Sequence, residues 1–497
     1  MVSARISSWL AAVGVGVAAF IGARLGMLPG VGFWDTAELQ TVAPLLGTAH
    51  PTGYPTYVLL GWMADKLLGP FGEAALRMTL FSGLCVALAV AVTVDLVRVL
   101  TRSTVIGVAV GLGLAFTTVV WRIGVQAEAH SLHLALTVIV FRLLVAWETS
   151  GRDRTLVAAV VVFALAVGNH SLSLLLIPPI GLFVLAADRE VVHRPRFVVG
   201  CVVVFLVTTV AIFLELPLRA GPFRAPLVYG RPETWDGFWY VVLAEQFRGS
   251  LLDPFGNVLG KLSELIGRAV SWYGPFSLFL PLGLVATILL RPRYALLSGT
   301  AAGITCFFAA SYINADIERY YLVPVFIGWT WLGILAGGVA TVVARNLGAE
   351  RRPEPLMAVA LAAVIVVPTA VAAPARFQAI DRSRDDVATE WLDHALDVMD
   401  QHAVIVSWWS YSTTLWYAQL IQGRRPDIDI IDDRTRLDRN LGDITDVIDA
   451  YLPTRPVYVI RIEDREILEL DARYELQYLE APSALGLTRV LGPKAGG

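Results

Sequence analysis

Two carboxylates three positions apart, Asp35 and Glu38, open the first polar stretch of an otherwise apolar chain. On a helix that spacing puts both on one face. Repulsion between them could raise one pKa and create a proton acceptor for general-base work. Solvated loop acids, or an N-cap with its first-turn partner, fit the same spacing. His50-Pro51-Thr52-Gly53-Tyr54-Pro55 is a rigid turn, in which two prolines fix φ and Gly53 takes conformations other residues resist. It either holds His50 against the acids or simply redirects the chain. Gln126, Glu128 and His130 form a further polar group, and Asn169 with His170 another. His130 and His133 share a helical face, yet with Glu128 they complete no metal set of established spacing, and a self-satisfied polar cluster also accounts for them. Asp316, Glu318, Arg319, Tyr320 and Tyr321 make the last group. An arginine among tyrosines suits a bidentate grip on phosphate, or anchoring at a membrane interface.

The elements that position these groups lie in lipid. The chain has 497 residues, 56% hydrophobic and 16% charged, with mean hydropathy +0.63, beyond ordinary soluble usage. Net charge of -3 carries little information, because its distribution matters more than its sum. Cys85, Cys201 and Cys306 each sit in an apolar run and read as small hydrophobes. The stretches 9–27, 76–97, 104–121, 127–147, 155–170, 171–187, 197–216, 270–290, 294–312, 321–343 and 355–373 predict about eleven spans. The first reads as an uncleaved span, being long for a signal sequence and lacking a clear cleavage site. Pro178 and Pro179 break the 155–187 pair.

Basic connections at Arg98/Arg102, Arg152/Arg154, Arg189/Arg194/Arg196, Arg291/Arg293 and Arg345/Arg351/Arg352 fall on the side of Arg5. The positive-inside rule then places the N-terminus in the cytoplasm and the C-terminus outside, with the plasma membrane as the expected location. Every polar group above falls on the outer side. Residues 28–75 form a first outer loop, with 54–68 an interfacial helix. Residues 217–269 form a second, with Trp235, Trp239, Tyr240 and Phe247 as interface anchors. The expected organisation is a polytopic α-helical membrane domain over 1–374 and an outer α/β domain over 375–497. In the latter, 383–400 reads as an amphipathic helix, and 403–407, 427–431 and 456–460 as strands of a mainly parallel sheet. No repeat or low-complexity tract is visible.

The polar segments also carry a family resemblance. Trp34-Asp35-Thr36-Ala37-Glu38-Leu39 followed by Ala49-His50-Pro51-Thr52-Gly53-Tyr54-Pro55 resembles the D-x-G-E … H-P-P-G-Y-P signature of a family long known as a domain of unknown function, which includes animal protein O-mannosyltransferases. Gln126-Ala127-Glu128-Ala129-His130-Ser131-Leu132 is similar to its A-x-E-V-Y-x-L element, and Gly168-Asn169-His170-Ser171 to its G-N-H element. Asp316-Ile317-Glu318-Arg319-Tyr320-Tyr321-Leu322-Val323-Pro324 resembles its R-Y-x-x-P element, and Gly423-Arg424-Arg425-Pro426-Asp427 a stretch of its outer domain. Ala37, Thr52 and His130 depart from the common Gly, Pro and aromatic residue, and the last bears on acceptor or sugar choice.

The resemblance implies a GT-C-like fold and an inverting transfer of a sugar, mannose for example, from a polyprenyl-phosphate carrier to a protein, lipid or glycan acceptor at the outer face. It casts Asp35 as the base and Glu38 as the residue orienting it or the acceptor. Arg319 would bind the leaving phosphate, and His50 and His170 would line the cavity with Tyr54, Gln126, Glu128, His130, Asn169, Glu318 and Tyr320. No cofactor is expected, a divalent metal stays open, and no nucleic acid is implied. A transporter or flippase is the alternative, since intramembrane polar groups also mark conduction paths; the one-sided polar groups and absent inverted repeat weigh against it. A third reading is a structural membrane protein whose outer domain binds partners.

Overall fold

Backbone in a lipid core must satisfy its own hydrogen bonds, so long apolar runs resolve into helices. The computed structural model describes residues 2–346, 353–460, 464–479 and 487–494. Each apolar stretch read from the sequence is largely helical. Among the described residues, seven stretches are long and apolar enough to cross a membrane: Ser8–Leu25, Ala74–Thr101, Ala129–Ser150, Pro195–Ala220, Val258–Leu290, Ile317–Asn346 and Leu356–Ile380. Of the eleven stretches expected to span, the others fold as shorter or more polar helices. Thr104–Ala115 and Ser171–Ala187 are shorter apolar helices, the latter entering through a 3-10 turn before Pro178 and Pro179. Asp153–Asn169 stops at 17 residues. Pro292–Ala309 is diluted by Arg293, Ser298, Thr300 and Thr305. Arg351 and Arg352 lie outside the described residues.

The first outer loop holds two helices, Trp34–Leu45 and Pro55–Leu67. The second occupies the stretch expected to lie along the membrane surface. The first is buried from Thr36 to Pro44, between the second, the helix Ala74–Thr101 and the C-terminal domain; beside it, Thr414 Oγ1 donates to the Gly32 carbonyl at 2.8 Å, and Ala75 N–H to the Tyr417 hydroxyl at 3.1 Å. In the second outer loop, Trp235 and Trp239 stay exposed. Tyr240 and Phe247 are half-buried. Arg434 lies 4.4 Å above the Tyr240 ring, and Phe247 packs edge-on against His50.

Pro374, where composition shifts, lies inside the helix Pro353–Ile380. Beyond it come the helix Val387–Val398 and a five-stranded sheet of β1 (Val404–Val406), β2 (Asp429–Ile431), β3 (Val457–Val459), β4 (Tyr474–Leu479) and β5 (Leu487–Pro493), ordered β2-β1-β3-β5-β4. β2, β1 and β3 are parallel, as expected; β5 and β4 extend the sheet antiparallel. Strand alternation sends Ile405 and Tyr458 toward Trp391, Leu392 and Tyr411 on one face. Val404, Val406, Val457 and Val459 go to the other, toward Val447, Ile448 and Leu470.

Candidate active site

Arg319 stands on the 3-10 turn Ile317–Tyr321 that leads into the helix Leu322–Asn346. Its Nη1 donates to Asp35 Oδ2 at 3.0 Å and to Glu128 Oε2 at 2.8 Å, and its Nε lies 3.3 Å from Asp316 Oδ2. Three distant segments therefore meet on one guanidinium. Glu128 is fixed first: it N-caps the helix Ala129–Ser150 by accepting from His130 N–H at 3.2 Å, while its own N–H donates to Ser82 Oγ at 2.9 Å. Its second carboxylate oxygen is left for Arg319.

Asp35 and Glu38 do lie on one helix, but their carboxyls take different partners. Burial alone would raise Asp35; the Arg319 guanidinium and His50 overcome it and hold the carboxyl below its usual value. Glu38 faces elsewhere. It is 1% exposed and accepts twice from His50, from N–H at 2.8 Å and at 2.5 Å from ring Nδ1. Burial would lower the imidazole, yet Glu38 raises it to about 9, so at neutral pH it is an imidazolium. Its Nε2 then donates to the Tyr54 hydroxyl oxygen at 3.0 Å, which leaves the phenolic proton for another partner. Gly53 makes this turn possible with φ +78, where an added Cβ would also press on Leu216 and Val241 at 3.0 Å.

Asp35, His50, Tyr54, Gln126, His130, His170, Arg319 and Tyr320 line a single cavity of about 740 Å³. Glu38, Glu128, Asn169 and Glu318 do not reach its surface. Asn169 Nδ2 donates to the Ala129 carbonyl at 3.1 Å. Glu318 lies 3.5 Å from Arg122 and 3.7 Å from Arg268. His130 and His170 pack at 4.6 Å, and Tyr320 closes on both at 5.4 and 5.9 Å; the His130 Nδ1 atom is buried without a partner. Gln126 accepts from Arg382 Nη1 at 2.5 Å.

Sequence reasoning missed Arg382, a second cation on this wall, and the aromatic stack Phe308–Tyr312–Tyr320 with ring spacings of 5.3 and 5.4 Å. Phe308 and Tyr312 are four apart at the outer end of an apolar stretch, a spacing that signals one helical face. Trp409, which packs 5.3 Å from His50, had its signal in the Trp408-Trp409 pair just after a strand.

Residues 35–193 match the family model for the protein O-mannosyl-transferase TMEM260 N-terminal domain. The mouse (Mus musculus) protein O-mannosyl-transferase TMEM260 is 27% identical over 429 residues, covering 80% of this chain and 59% of the mouse protein. The chain thus spans less than two thirds of that relative's length. The structure is similar to ArnT from Cupriavidus metallidurans bound to undecaprenyl phosphate, with TM-score 0.57, 16% identity and coverage of 96% of this chain and 97% of that one. Against apo ArnT the TM-score is 0.60, at 16% identity with 98% of both chains covered. The resemblance read from the sequence is borne out, and so is the GT-C-like membrane fold with a small C-terminal sheet domain.

Proposed function

We propose that this protein is a membrane glycosyltransferase that moves a sugar from a polyprenyl-phosphate carrier to a hydroxyl acceptor on the outer face. The observation that carries this reading is Arg319 bonded to Asp35 and Glu128 at the wall of one cavity. A cation for a phosphate stands beside a carboxylate for a hydroxyl proton. The carrier comes from likeness to a protein captured with undecaprenyl phosphate. Mannose is favoured by likeness to a protein O-mannosyltransferase. The distribution of basic connections supports a cavity on the non-cytoplasmic side, and a plasma-membrane location belongs to the same reading.

In this reaction the acceptor oxygen attacks the anomeric carbon with inversion, Asp35 takes its proton, and the carrier phosphate departs with the electrons of the broken C–O bond. Asp35 starts ionised because cations surround it. As Arg319 turns to the phosphate, Asp35 loses a partner and becomes more basic, while Glu128 keeps the guanidinium in place. Arg382 adds charge to the same wall. Tyr54, His130, His170 and Tyr320 offer ring faces and polar atoms to the sugar.

The test is Asp35→Asn in proteoliposomes given a radiolabelled polyprenyl-phosphate sugar and a membrane extract as acceptor source. Transfer should fall at least about 100-fold, with circular dichroism and gel filtration unchanged. A wild-type rate in this variant overturns the assignment.

A further inference from the structure

A second cavity, of about 290 Å³, lies against the first, between the second outer loop and the C-terminal domain. Tyr229 lines both. Glu38 lines the second and its partner His50 the first, so one hydrogen-bonded pair forms part of the partition. The walls of the second cavity are unusually unsatisfied. Thr48 Oγ1, Asp432 Oδ2 and Arg434 Nε have no hydrogen-bond partner, and Thr48 and Asp432 are 1% and 0% exposed. Buried polar groups ordinarily find partners, so three orphan atoms around one space ask for a polar occupant.

The same wall carries a strand edge. Among the described residues β2 is the outermost strand, paired on one side only, and Asp429 and Ile430 line the cavity. Asp429 N–H donates to the Ala403 carbonyl at 3.0 Å, and the Ile431 carbonyl accepts from Ser407 N–H at 2.9 Å. In a parallel ladder alternate residues face the partner, so 429 and 431 face β1. Ile430 turns its N–H and C=O to the open edge.

We propose that this second cavity is the acceptor-docking cleft, and that its occupant is an extended polypeptide segment added as a strand along β2, which presents a Ser or Thr past Tyr229 to Asp35. An extended peptide supplies an acceptor and a donor at the strand spacing of the Ile430 N–H and C=O; a lipid chain offers neither, and glycan hydroxyls carry no strand repeat. Arg224, Arg231 and Glu233, loosely paired at 3.7 and 3.8 Å, leave charge near the cleft for side chains of the segment. The fate of the docked hydroxyl rests on the glycosyltransferase reading; the docking itself does not.

The experiment therefore omits the sugar donor. Full-length protein in nanodiscs is mixed with a pool of randomised short peptides, each holding one Thr, and retained peptides are identified by mass spectrometry. Peptides should be retained above empty nanodiscs. The same pool N-methylated at alternate backbone amides should be retained about fivefold less, the loss of one ordinary hydrogen bond, that to the Ile430 carbonyl. Ile430→Pro, which removes the outward N–H and spares the ladder bonds of 429 and 431, should show the same loss. Thr48→Val should weaken retention about threefold. Equal retention of the N-methylated pool, which changes no protein residue, overturns the proposal. So does no retention at all, or displacement of the peptides by a mannan oligosaccharide. In a separate reaction with a polyprenyl-phosphate sugar added, retained peptides that receive no sugar would sink the glycosyltransferase reading and leave the cleft standing.

Discussion

The Glu38 carboxylate binds both the backbone and the ring of His50, and this gives the cavity a pH dependence that Asp35 does not share. His50 is raised from 6.5 to about 9. Its charged pairing therefore stabilises fully below its unfolded value and is lost as pH rises through about 9. Asp35 is shifted the other way, below 3.8, so its contribution is present above that value and is lost only as pH falls through its lower folded pKa. Transfer should thus be flat through neutral pH and fall on an alkaline limb near 9. Glu38→Gln should move that limb toward the ordinary histidine range; an unmoved limb in the pH–rate profile would detach His50 from the reaction. Since Arg319 and Arg382 supply the cavity's guanidinium charge, transfer should persist in EDTA. Loss of activity restored by Mg²⁺ or Mn²⁺ would assign a metal instead. At this scale the sequence marked residue types and positions well. It could not reveal that Asp35 pairs with an arginine 284 residues away while Glu38 turns to His50, because neighbouring helix positions diverge once different loops pack on them.

Elements carry a separate set of constraints, and Arg425 illustrates them. Its guanidinium donates to the carbonyls of Leu396, Met399 and Asp400 at 2.6, 2.9 and 2.7 Å and to Asp427 at 2.9 Å. It thereby ties the end of the helix Val387–Val398 to the approach of β2. Removing it strands several carbonyls at once, so Arg425→Ala should destabilise the C-terminal domain by roughly 2–3 kcal/mol. The measurement is protease resistance of that domain in detergent; resistance equal to wild type would show the ties to be dispensable. The stretch's match to a family motif is thus explained by scaffolding, without a role at the cavity. Legibility varied with burial here. β1, β2 and β3 are short apolar runs and were readable. β4, at the sheet edge, alternates Glu475 and Gln477 with Leu476 and leaves Tyr478 exposed, and β5, though inside the sheet, carries Arg489 and ends in Gly492-Pro493, so neither reads as an apolar run. The shorter apolar helices show a different limit. Thr104–Ala115 is apolar on most sides because neighbouring helices bury it, and composition alone does not separate protein-buried from lipid-crossing.

For the whole molecule, sidedness is the property on which the proposed chemistry depends, since a carrier and acceptor must meet in the same compartment as Asp35. Arg154 lies exposed in a basic connection at one end of the bundle, and Leu437 lies 69% exposed on the C-terminal domain, which packs on the first outer loop. Arginines retained beside spans favour the cytoplasmic side, so these two positions should lie across the membrane from each other. With Cys85, Cys201 and Cys306 replaced by Ala, a membrane-impermeant maleimide applied to intact cells should label Leu437→Cys at once. It should label Arg154→Cys only after permeabilisation. Labelling of both in intact cells would break the assignment of a single topology. The reverse pattern would place Asp35, Arg319 and the β2 edge in the cytoplasm, and the donor and acceptor would have to be sought there.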